Sequence, residues 1–533
     1  MKKLLFVLLT AAGLSAGAQM DVQHYDFTVR LEDGSDRISG SAWITVQLTG
    51  PASEIVLDLI GPKEGGKGMT VRAAAGKEIK GFRQSGDKVY LQLLAPGKAG
   101  QLVRVGLEYD GVPADGLIIS KNKYGDRTFF SDHWPNRARH WLPCHDTPAD
   151  KATVAFYVVA PEHYRVVANG LYDSAYTRAA SDTNTARGTV HYWKEATPIP
   201  TKVMAVGVAR FAVQRVDSAY KVPVTAWVYP RDSAKGVFDY SVADDILRFF
   251  DNYVGSFAFS KLANVQSKTI FGGMENAGAI FYAENTVTGN RSSEGLVAHE
   301  VAHQWFGNMA TEKSFAHLWL SEGFATYMTN VYWEAAHGRE AFVKKMQEER
   351  EEVVRFARRW NKPVVDTASD LMNLLNANSY QKGGWVLHML RQEAGDEVFR
   401  NIVRTYYDTY KGRNADTRDF QQVAEQVSGK NLDTFFRQWL YTPGHPRLQA
   451  SWRLEGNSLR LTILQQQDST FRFPLTVGFK NGNTLARRLT IDIVESTQII
   501  SVDMKAMGFR PTDIVLDPDT QLLFEGKVSG RAE

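Results

Sequence analysis

The chain has 533 residues, 44% of them hydrophobic and 23% charged. That length allows about three or four domains, and the composition excludes a disordered chain, which needs low hydrophobicity and high net charge. The formal charge of +3 comes from interleaved acids and bases and leaves no nucleic-acid footprint. The single cysteine, Cys144, excludes an internal disulfide or a Cys-rich metal site, so any metal must be held by His and carboxylates.

At the N-terminus, Lys2-Lys3, the apolar run Leu4 to Leu14 and Ala16-Gly17-Ala18 follow the three-part pattern of a secretory signal. Residues 1–18 are expected to be removed, leaving Gln19 as the first residue. The apolar part is too short to cross about 30 Å of hydrocarbon as a helix, and no later stretch is long and apolar enough to do so. The expectation is an exported protein, periplasmic or extracellular, with no integral membrane segment after cleavage.

Strand patterns come next. Ile44, Val46 and Leu48 alternate with polar residues, as do Val89, Leu91 and Leu93, then Val103, Val105, Leu107 and Tyr109. Period-two alternation with turn residues between the runs predicts half-buried strands, and Met204 to Phe211 reads as the last of them. After about residue 240 the period changes to 3.6. Helices are expected over 241–251, 293–308, 319–337, 340–358, 380–394, 396–410, 417–427 and 431–441, with stops at Gly338 and Gly395. The basic run Arg355 to Arg359 reads as a solvated helix face. From about 447 short strands return, and Asn481-Gly482 is a strong hairpin signal. This reading divides the chain into residues 1–18, a β-rich domain over 19–215, a mostly helical domain over 216–446 and a small β-sandwich over 447–533.

The sharpest chemical feature is His299-Glu300-Val301-Ala302-His303. Residues i and i+4 share a helix face, so both imidazoles can meet one ion. Zinc takes His nitrogen at about 2.0–2.1 Å and needs a third protein ligand plus an open position for catalysis. Glu300 sits beside the first ligand, placed to take a proton from water. A carboxylate on the next helix is the expected third ligand, and Glu322 follows His303 with eighteen residues between. A third histidine at the metzincin spacing would fall at 309, where the chain has Met309. Upstream, Gly272-Gly273-Met274-Glu275-Asn276 follows the strand-like Ala263 to Ile270. Its glycines would let a substrate backbone approach closely. Glu275 reads either as a carboxylate near the metal or as an ordinary loop acid.

Together these motifs resemble the M1 (gluzincin) family of zinc aminopeptidases, whose pattern is G-x-M-E-N followed by H-E-x-x-H-x18-E. Gln304-Trp305-Phe306-Gly307-Asn308, Leu142 to Pro148 and Tyr380-Gln381-Lys382-Gly383 also look like the family. The resemblance implies an α+β multidomain fold: an N-terminal β-saddle, a thermolysin-like, mostly helical catalytic domain and a C-terminal β-sandwich. The expectation from this resemblance is a short three-domain form without the helical C-terminal domain of many members. It implies that His299, His303 and Glu322 bind one Zn²⁺ per chain. Glu300 would be the general base and Tyr380 the oxyanion donor. Glu275 would hold the α-ammonium of a peptide with a free N-terminus. Gly272, Gly273, Met274 and Asn276 would line the peptide site.

Three departures stand out. Gly273 replaces the more common Ala, and Ser321 replaces the Asn that often precedes the third ligand. Asp132 and Trp134 stand where members often place Gln or Glu, which makes Asp132 a candidate for amine binding and Trp134 a candidate for packing. The alternatives to an aminopeptidase are a thermolysin-like endopeptidase, a leukotriene A4 hydrolase-like bifunctional enzyme and an inactive peptide-binding protein. Glu275 weighs against the endopeptidase. Leu375 and Met372, in place of the Tyr and Asp of that hydrolase, weigh against the second alternative, and the complete catalytic set weighs against the third.

Overall fold

The alternating runs before residue 215 form strands whose apolar side chains face inward. Ile44, Val46 and Leu48 are buried along Ser35–Leu48, and Val103, Val105, Leu107 and Tyr109 along Leu102–Val112. In this computed structural model, residues 20–174, 178–179, 188–217 and 220–530 are described, so the expected signal segment and Gln19 lie outside the described residues. Strand Met20–Glu32 lies at the centre of the largest sheet, antiparallel to Ser35–Leu48 and parallel to Ala152–Pro161. A three-stranded sheet (Ala52–Asp58, Lys88–Gly97, Ile79–Ser85) and a four-stranded one containing Val206–Ala209 complete the β-rich region.

The middle region opens with a five-stranded sheet. Its order is Ala212–Arg215, Val224–Val228, Leu262–Ser267, Ala279–Ala283 and Gly273–Met274. Ala212–Arg215 therefore hydrogen-bonds into the sheet of the middle region, although it precedes residue 216. Leu262–Ser267 is buried along its whole length, as expected for a strand covered on both faces. The last strand pairs Gly273 with Tyr282 and Met274 with Phe281, which brings the Gly-Gly-Met-Glu-Asn segment to the sheet edge.

The longer helices that follow are α1 (Ser233–Tyr240), α2 (Val242–Tyr253), α3 (Glu294–Ala302), α4 (Trp319–Ala357), α5 (Gly383–Ala394), α6 (Asp396–Tyr410) and α7 (Thr417–Ser428). Helix α1 has no counterpart in the sequence reading. Helix α3 stops at Ala302 rather than 308, because the chain turns sharply through Gly307, whose φ of 116° lies outside the helical range of L-residues. Helix α4 is two helices joined at Gly338 (φ 86°, ψ 170°), as the glycine stop predicts. Its second half returns along the first, where Asn330 Nδ2 donates to both carboxylate oxygens of Glu349 at 3.0 and 2.8 Å. The segment expected as a helix from 380 begins with a π-turn, Asn378–Lys382. A second π-turn, Arg437–Tyr441, closes the helical region.

After residue 447 the chain forms two β-sheets, of four and three strands. The Asn481-Gly482 hairpin joins Phe473–Asn481 to Thr484–Ile493. This region is tied to the helices by polar contacts: Arg350 to Asp517 at 2.9 Å and the His388 ring to the Thr520 carbonyl at 2.8 Å. Among the described residues no helix is long and apolar enough to cross a membrane.

Candidate active site

Helix α3 carries His299, its C-cap is His303 one turn on, and the start of α4 carries Glu322 across from them. The Nε2 atoms of the two histidines lie 3.1 Å apart, and Glu322 Oε2 lies 3.3 and 3.2 Å from them. A tetrahedral ion with bonds of about 2.0–2.1 Å separates its donors by about 3.3 Å, so this triangle has the right edges. The donor chemistry fits as well. His303 Nδ1 lies 3.0 Å from the Phe306 carbonyl, which can only accept, so Nδ1 carries the proton and Nε2 presents its lone pair. Ser321 Oγ flanks the same Nδ1 at 3.2 Å. Glu322 Oε2 is buried with no hydrogen-bond donor in good geometry. The three residues form a group able to hold a metal ion.

The surrounding charges make the same demand. Glu275, Glu300 and Glu322 are all buried and line one cavity of about 220 Å³ with the two histidines and Tyr380. Burial and the carboxylates of Glu275 and Glu322 push Glu300 well above the usual carboxylate range, against His303. Burial, then the carboxylates of Glu322, Glu275 and Glu300, push the Tyr380 phenol up, so it stays a donor at neutral pH. Burial lowers His303, but the carboxylates, led by Glu322, outweigh it and raise this group to about 10. A positive ion relieves all of this at once, since opposite charge favours the ionised carboxylates.

Glu300 lies against the glycine pair. A Cβ at Gly273 would sit 2.3 Å from Glu300 Oε1, so the glycine leaves the room in which this carboxylate stands. Glu275 is held by its backbone: its carbonyl accepts from Gln304 Nε2 at 2.9 Å and Asn308 Nδ2 at 2.7 Å. Its Oε1 remains buried without a partner. Asn276 is fully buried behind it, also with side-chain atoms unpartnered. Tyr380 stacks on His299, with ring centroids 5.9 Å apart and planes 12° from parallel. Its π-turn is placed by glycine contact: Gly323, next to Glu322, packs on Gly383, and a Cβ on Gly323 would come within 2.9 Å of Gly383 Cα. The π-turn lets Tyr380 project where a regular turn would redirect it, a common use of this geometry at functional sites.

Asp132 is not brought into the cavity. It is fully buried, and its carboxylate accepts from Arg137 at 2.7 Å, Thr269 Oγ1 at 3.0 Å and the Ile270 amide at 3.0 Å. Both oxygens are engaged in holding the segment that leads to Gly272. Trp134 forms the cavity wall on that side, edge-on to Phe271 with centroids 6.1 Å apart. Sequence reasoning missed the positioning roles of Gln304 and Asn308, which follow Glu300 at four-residue spacing, and the walls Phe271, Leu296 and Leu375. It also missed Lys151, whose Nζ donates to the Asn308 and Met309 carbonyls at 3.2 and 2.6 Å and so braces the turn after His303 from the β-rich region.

Two families of sequence cover this architecture. Residues 21–202 match the peptidase M1 N-terminal domain, and residues 238–439 match the peptidase family M1 domain. Similar proteins include "Probable aminopeptidase 2" of Sulfurisphaera tokodaii, 26% identical over 90% of this chain and 62% of that protein. Leucyl aminopeptidase of Saccharolobus solfataricus is 26% identical over 87% of this chain and 59% of its own length. Human glutamyl aminopeptidase is 25% identical over 80% of this chain and 47% of its own. The chain spans about half to three-fifths of the length of these relatives.

Proposed function

The chain belongs to peptidase family M1, and from that premise we propose that it is a zinc aminopeptidase that removes the first residue of peptides with a free N-terminus. One observation carries the reading: the unpartnered carboxylate of Glu275 is buried in the same cavity as the metal-ligand triangle, Glu300 and Tyr380. A buried carboxylate without a partner is unfavourable in itself, and a substrate α-ammonium is the complement that removes the penalty. A cation anchored there fixes the first peptide bond, and no other, beside Glu300.

His299, His303 and Glu322 would hold the zinc ion, which when bound supplies Lewis-acid polarisation of the carbonyl and acidifies water. Glu300 takes the proton from the attacking water and returns it to the leaving amine. The Tyr380 hydroxyl donates to the oxyanion of the tetrahedral intermediate. Gly272 and Gly273 let the peptide backbone pass close to the sheet edge, and Met274 shapes the first-residue pocket. The β-saddle, thermolysin-like and sandwich descriptions belong to this same reading. So does export to the periplasm or outside the cell, which N-terminal sequencing of the mature protein checks.

The decisive experiment compares a peptide with its N-acetylated form. The free amine is expected to be cleaved from its first residue and the blocked form to be inert. Similar rates on both would point to an endopeptidase and overturn the reading.

A further inference from the structure

A second cavity, of about 690 Å³, adjoins the first. Arg355, Arg358 and Arg359 line it with Glu352, and Leu375 is a wall of both cavities. Its floor runs directly into the turn that carries Tyr380, since the Asn376 carbonyl accepts from the amides of Ser379 and Tyr380. The basic run reaches this place because Gly338 reverses α4. The returning end is then fastened near the start of the same helix, where the Asp366 amide donates to the Ala316 carbonyl. Arg355, Arg358 and Arg359 remain exposed, as the sequence predicts, and at the same time border Leu375.

The charges in this cavity are unbalanced. Arg358 is committed to Glu525 at 2.9 Å. Arg355 reaches Glu351 only at 3.5 Å, with both side chains largely in solvent. Arg359 has no carboxylate within ion-pair distance among the described residues. Deeper in, the catalytic cavity presents Glu275, Glu300 and Glu322. A substrate carboxylate that reaches past Leu375 meets this excess of positive charge, where the planar guanidinium fork matches its two oxygens.

We propose that Arg355 and Arg359 form a carboxylate-recognition site that makes the enzyme favour acidic peptides. The proposal rests on the aminopeptidase reading. The carboxylate has two sources with the same chemistry: the side chain of the first residue, or an acidic residue or C-terminus further along the peptide.

The test measures kcat/KM for the wild type, Arg355→Ala/Arg359→Ala and Arg359→Lys on matched pairs. One pair is a Glu-led and a Gln-led fluorogenic amide, and the other is a Leu-led tripeptide as free acid and as C-terminal amide. In the wild type, at least one acidic member should be favoured, roughly 2- to 30-fold at low ionic strength for two exposed ion pairs. The preference should shrink as salt shortens the screening length from about 30 Å to about 8 Å. It should fall toward unity in the double variant and lie between the two in Arg359→Lys. A response in the first pair assigns the site to the first side chain, and a response in the second assigns it to a downstream carboxylate. Identical acid-to-neutral ratios in wild type and double variant overturn the proposal. Failure of the wild type to cleave any of these free-amine substrates overturns the aminopeptidase reading instead.

Discussion

Asp132→Asn separates two roles for one buried carboxylate. Asp132 accepts three hydrogen bonds, from Arg137, Thr269 and the Ile270 amide, and donates none. An asparagine of the same shape has one acceptor oxygen and one NH₂ group. If its oxygen faces Arg137, the NH₂ meets the Ile270 N–H; if it faces Ile270, the NH₂ meets the guanidinium. Either way a buried donor is orphaned, which costs about 1–3 kcal/mol, and the charge-assisted part of the Arg137 bond, about 1 kcal/mol, is lost. Arg137 keeps Asp115 at 3.0 Å, which limits the damage. The expected loss is about 2–4 kcal/mol, seen as a lower urea midpoint by tryptophan emission. Activity should fall as well, because Thr269 and Ile270 lead into Gly272 to Glu275 and a displacement of about 1 Å there costs up to about 10²-fold. An unchanged midpoint with a raised KM for free-amine substrates would refute this argument and return Asp132 to the amine site.

Glu300→Gln should retain one zinc per chain by metal analysis and lose nearly all turnover; substantial remaining activity would remove Glu300 as general base. Tyr380→Phe keeps the ring stacked on His299 and deletes only the hydroxyl, so kcat should drop about 10²–10³-fold with little change in KM. An unaltered kcat would exclude Tyr380 from the chemistry. Burial raises Glu349 from the usual 4.5 to about 7. The folded chain then binds a proton that the unfolded chain releases, so this stabilising contribution is present below about pH 4.5 and is lost as pH rises through about 7. The loss is about 3 kcal/mol. Glu349→Gln should flatten that decline in urea titrations across this range, and an identical pH slope in both proteins would contradict the assignment.

Local patterns were enough for the features that depend on near neighbours. The i, i+4 spacing put His299 and His303 on one face of α3, period-two runs marked strands such as Ser35–Leu48, and Gly338 broke α4 where the sequence predicts. Glu322 was reachable from its spacing, because one turn and one helix separate it from His303. The end of α3 was not legible, since 3.6-residue periodicity persists past Ala302 and only the turn through Gly307 stops the helix.

The tertiary structure decided what depends on residues far apart in the chain. Asp132 looked free to meet a substrate until Thr269, 137 residues away, and the neighbouring Ile270 amide occupied its carboxylate. Glu275, taken alone, read first as a loop acid; in the fold Gln304 and Asn308 hold its backbone and its side chain is buried in one cavity with His299, His303 and Glu322. The Arg355–Arg359 run is exposed, as the sequence predicts, and only the reversal at Gly338 sets it against Leu375. A carboxylate or a guanidinium has the same composition in each case. Its role is set by the donors, acceptors and charges packed around it, and periodicity along the chain carries no record of them.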